Sequence, residues 1–83
     1  MNFKKVMTLY RIIRETFKLP ETYVLSENMG IGYLPGWDSL GGIMLINAIQ
    51  SEFEVSFTLE EMTMLNTIES IQKVLIEKGV LNE

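Results

Sequence analysis

The stretch Leu34-Pro35-Gly36-Trp37-Asp38-Ser39-Leu40 governs the reading of the whole chain. Its proline and glycine close a loop, because proline presets a turn and glycine tolerates turn conformations. Asp38 is placed to cap a helix by accepting from backbone N–H groups two or three residues on. Ser39 then falls in the first turn, at the positive end of the helix dipole, where a phosphate group is favoured. Leu40 is expected to anchor that turn in the core. On its own the heptapeptide specifies no more than a well-capped helix start.

Downstream, Leu40, Ile43, Ile46, Ala48, Ile49 and Phe53 recur at three- and four-residue steps. This spacing predicts a second helix with Ile43 and Ile46–Ala48 on its buried stripe. Thr58-Leu59-Glu60-Glu61 reads as a capping box that opens a short third helix through about Met64. Thr67 is expected to cap a fourth helix, with Ile68, Ile71, Val74 and Leu75 inward and Gly79 as its stop. Upstream, Phe3, Val6, Met7, Tyr10, Ile13 and Phe17 keep helical spacing, widened by Leu9 and Ile12, with Asn2 as the cap and a stop after Leu19. The segment from Pro20 to Trp37 keeps no period and holds both prolines, Gly30, Gly32 and Gly36. Leu25, Ile31, Tyr33 and Leu34 give it apolar anchors, which predicts a long loop packed across the helices. Phe53, Val55 and Phe57 alternate as in a strand, but an isolated strand would have no partner. The predicted fold is all-α, a four-helix bundle with a long first loop and a short third helix. Residues 1–83 are read as one domain.

The 83 residues include no histidine and no cysteine. Ser-His-Asp and Cys-His arrangements and the usual zinc sites are therefore excluded, and so are disulfides. Glu60 and Glu61 are adjacent and diverge by roughly 100° on a helix, so they do not converge on one atom. Gly30-x-Gly32 lacks the third glycine and the preceding strand of a phosphate loop. The chain is expected to be no enzyme and to hold no metal. A net charge of -4 disfavours nucleic acid, which needs a basic footprint. Lys4, Lys5, Arg11, Arg14 and Lys18 cluster early and are read as a solvated helix face in preference to a contact with an anionic surface. Met1 to Lys5 faintly resembles the start of a signal peptide, but Arg11, Arg14 and Glu15 break up any apolar stretch. The aliphatic run Ile43–Ile46 is far too short to span a bilayer. A cytoplasmic monomer is expected.

With these elements in place, the chain resembles the acyl carrier protein family, which shares its fold with peptidyl carrier domains. The resemblance covers almost the whole chain and is densest from Leu34 to Leu75. It rests on Asp38-Ser39-Leu40 at the start of the second helix, the long loop before it, Phe53 fourteen residues after the serine, and the spacing of the fourth helix. The resemblance implies that a phosphopantetheinyl transferase, using coenzyme A and magnesium, attaches a 4'-phosphopantetheine arm through a phosphodiester at Ser39. The arm's thiol would carry acyl or aminoacyl groups as thioesters. It implies further that Asp38 helps position that transfer and its metal, and that Leu40 holds the helix start and touches partners. Those partners would be an acyl- or aminoacyl-activating ligase, an acyltransferase or a ketosynthase.

The chain departs from the family where partners are met. In typical fatty-acid carriers the second helix is strongly acidic and recognises basic patches. Here Gly41-Gly42 follow Leu40, Met44 stands where glutamate is common, and Gln50-Ser51 replace another common acidic pair. Gly41, Met44, Asn47 and Ser51 share a stripe beside Ser39, so partner contact is expected to depend on packing more than on charge. The residues expected to meet partners are Trp37, Gly41, Met44, Asn47 and Met62, with packing of the long loop an equal alternative for Trp37 and gap-filling in the core the alternative for Met44. A specialised, freestanding carrier is the expectation. The rival from another class is a helical interaction module without a prosthetic group, binding through Met44, Met62 and Met64.

Overall fold

The computed structural model describes residues 3–81 and contains four helices. They are α1 (Phe3–Thr16), α2 (Ser39–Phe53), α3 (Leu59–Met62) and α4 (Ile68–Glu77). Among the described residues there is no strand, only an isolated bridge between Gly30 and Thr67. The fold is all-α and mostly helical. Its core cluster draws Leu9, Ile12 and Ile13 from α1, Leu45 and Ile49 from α2, and Ile68, Ile71, Val74 and Leu75 from α4. Leu25, Leu34 and Trp37 add the first loop to it.

The helix starts follow their side-chain signals. The Asp38 side chain accepts from Gly41 N–H, and Thr58 and Glu61 form the reciprocal capping box read from the sequence. Thr67 caps α4 with Ser70 as its reciprocal partner. The Asn2 cap lies outside the described residues, as does the side chain of Phe3. The helix ends are less obedient. α1 stops at Thr16, short of Leu19, because Lys18 turns left-handed at φ 55 and Leu19 N–H closes on Arg14 O at 2.8 Å. Glu54 ends α2 in the same conformation, whereas α4 uses Gly79 at φ 77. α3 ends at Met62, one half-turn before Met64.

The segment from Pro20 to Trp37 is tied to α1 and to the start of α4. Ile31 N–H donates to Asn66 O, Ile68 N–H to Met29 O and Glu69 N–H to Glu27 O, each at 2.9 Å. A Cβ at Gly30 would overlap the Asn66 carbonyl oxygen, so this crossing requires glycine. The Arg14 guanidinium donates twice to the Tyr23 carbonyl, at 3.0 and 3.3 Å. Of the four apolar anchors read from the sequence, Leu25 and Leu34 are buried, but Ile31 and Tyr33 stand 48% and 67% exposed. The turn from Gly30 to Trp37 faces them outward while its backbone bonds inward. Met7, read as part of the α1 core stripe, is likewise exposed.

Trp37 is 2% exposed and stacks on Phe17 with ring centroids 5.7 Å apart. It joins the loop to the end of α1 under the first turn of α2. Trp37→Ala is expected to lower stability by about 3–5 kcal/mol, the range for a buried aromatic truncated in a core. Domains of this size hold only roughly 4–12 kcal/mol in total. Urea denaturation should show a large drop in midpoint; a change under about 1 kcal/mol would contradict this placement.

An ion pair holds α3 to the end of α4. Lys78 Nζ lies 2.9 Å from Glu61 Oε1, each side chain 23% exposed, and the ammonium also sits over the Phe57 ring at 5.6 Å. Lys78 above all, and then Thr58 N–H, hold the Glu61 carboxyl below its ordinary value of 4.5. The folded pKa is the lower one, so the stabilisation is fully present above that ordinary value and is lost as pH falls through the lowered one. The stability difference between the wild type and Glu61→Gln should therefore be constant near neutrality and shrink in acid. A difference independent of pH down to about pH 3 would contradict the assignment.

Candidate functional site

The segment Gly36–Gly42 is a backbone-determined junction between loop and helix. Asp38 N–H donates to Gly36 O at 3.1 Å, and the Asp38 carbonyl accepts from Gly42 N–H at 2.7 Å. Its Oδ1 accepts from Gly41 N–H at 2.8 Å. The carboxylate satisfies a helix N–H that has no intrahelical partner. Ser39 is the first residue of α2 and is exposed. Its side chain thus stands at the surface where the dipole favours a negative group.

α2 packs directly against α1, and three sequence expectations change there. Leu40 does not anchor the turn in the core: it is 68% exposed, because the first turn of α2 seats through Gly41 instead. Gly41 is buried, and a Cβ there would overlap the Gly36 carbonyl oxygen and meet Phe17 Cε1 at 3.1 Å. The close approach that requires this glycine is made by the chain's own loop, not by a partner. Ile43, expected in the buried stripe, is 57% exposed, while Leu45 and Ile49 face the core.

The expected partner-facing set divides accordingly. Met44 is 53% exposed and Asn47 is exposed. Trp37 and Gly41 are buried and cannot meet a partner side by side with them. Met62 is half-buried against the core, so the rival surface of Met44, Met62 and Met64 lacks its middle member. Gln50, read only as the loss of an acid, serves the fold: its Oε1 accepts from Phe57 N–H at 3.0 Å and fixes the α2–α3 link. The surface residue that sequence reasoning missed is Ile43, whereas Leu40, expected both to seat the turn and to touch partners, keeps only the outward part of that expectation. The missed signal is that large apolar residues occur on every side of α2, which leaves periodicity unable to choose a face.

Other surfaces offer less chemistry. An open groove of about 590 Å³ runs beside α1, lined in part by Met7, Arg11, Arg14 and Lys18, and does not include Ser39. Arg11 is paired with Glu15 and Glu52, and Arg14 with the Tyr23 carbonyl. Among the described residues no three His, Cys, Asp or Glu side chains are grouped to hold a metal ion. No helix among them is long and apolar enough to cross a membrane. In comparison with known proteins, no family model and no curated protein matches the chain.

Proposed function

We propose that the four helices form an acyl-carrier-type bundle and that the chain carries acyl or aminoacyl groups on a 4'-phosphopantetheine arm at Ser39. The observation that carries this reading is an exposed serine on the first turn of α2, directly after a capping aspartate and a long ordered loop. The fit of the arm is favourable. A phosphodiester on Ser39 Oγ would sit at the positive end of α2, in solvent, with no core group displaced. When attached, the arm supplies the thiol that the cysteine-free chain lacks.

Within this reading Ser39 contributes the oxygen whose bond to phosphorus forms as the adenosine bisphosphate part of coenzyme A leaves. Asp38 fixes the helix start and thus the direction in which Ser39 projects. The catalytic groups belong to the transferase, so the carrier itself is no enzyme. Its partners are a phosphopantetheinyl transferase and the ligase, acyltransferase or ketosynthase that uses the cargo, met by a monomer in the cytoplasm.

A broad-specificity phosphopantetheinyl transferase supplied with magnesium and a fluorescent coenzyme A derivative tests this directly. The protein should become covalently fluorescent. Absence of label, with a known carrier labelled in parallel, would leave the interaction module as the better reading.

A further inference from the structure

Given the carrier reading above, the chemistry of the partner surface follows from α2 itself. The helix buries Leu45 and Ile49 on one side and exposes Leu40, Ile43 and Met44 by 68%, 57% and 53% on the other. A helix with large apolar residues on its outward side as well as its inward one tends to become covered, and exposed apolar patches mark association surfaces. At roughly 100° per residue, Leu40, Ile43, Met44 and Asn47 fall on one face, with Ser39 at its edge. A protein that reaches the Ser39 oxygen therefore lies against this patch.

Charge selects the occupant. From Ser39 to Ser51 the helix carries no ionisable side chain. Glu52, beyond it, is engaged by Arg11 at 3.4 Å, and the Asp38 carboxylate is turned into the cap. A basic docking face would strip water from its cations here and find no carboxylate row in exchange. An acidic face fares no better. An uncharged, mainly apolar face that offers Asn47 one hydrogen-bond partner strips water from no charge and covers Leu40, Ile43 and Met44.

We propose that the outward face of α2, built from Leu40, Ile43 and Met44, docks arm-handling enzymes through an uncharged apolar surface, so that recognition is insensitive to salt. The probe is the initial rate of arm transfer from coenzyme A by a broad-specificity transferase at ~50 and ~500 mM NaCl. A carrier with an acidic second helix serves as reference. The variants are Met44→Glu and Ile43→Glu, with Met7→Glu on exposed α1 as the control for an added charge, and circular dichroism verifies their fold.

The wild-type rate should change less than about twofold with salt while the acidic reference falls severalfold more. Met44→Glu and Ile43→Glu should each lose about tenfold or more in kcat/KM, and Met7→Glu should match the wild type. A tenfold fall of the wild-type rate with salt, or unchanged rates in both α2 variants, overturns the apolar docking face and leaves the carrier reading intact. No transfer to the wild type at either salt, with the reference loaded, removes the carrier reading and this surface with it.

Discussion

Ser39→Ala is expected to lose labelling by coenzyme A derivatives completely while keeping the fold of the wild type. The two halves of this result have separate causes. The reaction needs an oxygen nucleophile at the first turn of α2, and alanine has none. The fold needs little from this side chain, because Ser39 is exposed and the cap is made by Asp38. Alanine is also the better helix former, so stability should stay within about 0.5 kcal/mol of the wild type. Asp38 would give a less clean test, since its carboxylate holds Gly41 N–H and its loss weakens the helix start itself. Ser51 is also exposed on α2 and is the internal comparison for a hydroxyl outside the first turn. Label that persists in Ser39→Ala at the wild-type rate would place the attachment elsewhere and remove the basis of the account.

Gly41→Ala should cost nearly as much stability as truncating Trp37, although it adds only one methyl group. The new methyl would overlap the Gly36 carbonyl oxygen, which is backbone and cannot swing aside, and would press on Phe17 Cε1 at 3.1 Å. Helix and loop would have to separate, at about 3 kcal/mol, the upper part of the usual range for overpacking. For a domain of this size that corresponds to a Tm lower by roughly 12–24 °C. The neighbouring glycine supplies the contrast. A methyl at Gly42 would meet Trp37 Nε1 at 3.5 Å, an ordinary contact, so Gly42→Ala should be neutral or gain up to about 1 kcal/mol from helix propensity. Thermal melts of the two variants side by side decide the matter. Equal stability of Gly41→Ala and Gly42→Ala would contradict the close seating of α2 on the loop.

These two glycines also mark the limit of what can be read from the chain alone. Helix starts are legible because their chemistry is local: Asp38 before Ser39, Thr58 with Glu61, and Thr67 each announce a cap within four residues. Helix ends are legible only where glycine takes the left-handed turn, as at Gly79; Lys18 and Glu54 adopt it without any compositional signal. The buried faces of α1 and α4 follow largely from their periodicity. In α2 large apolar residues occur on every side, so spacing assigns Leu40 and Ile43 inward while they stand outward. Sequence reading gives Gly41 to a partner and leaves Trp37 open between a partner and the loop, because the features that bury them, the Gly36 carbonyl and the Phe17 ring, come from contacts that no local pattern encodes. Of the candidate site, Asp38 and Ser39 emerge where the sequence places them, and the surrounding surface is rearranged.

Everything proposed for the partner face depends on whether Ser39 accepts one phosphopantetheine arm. The most direct measurement is the intact mass of the protein before and after incubation with coenzyme A, magnesium and a broad-specificity phosphopantetheinyl transferase, followed by peptide mapping of the product. The expected product has gained one arm, localised to the peptide containing Ser39. A mass that stays at the value of the bare sequence, under conditions that convert a known carrier fully, would contradict it.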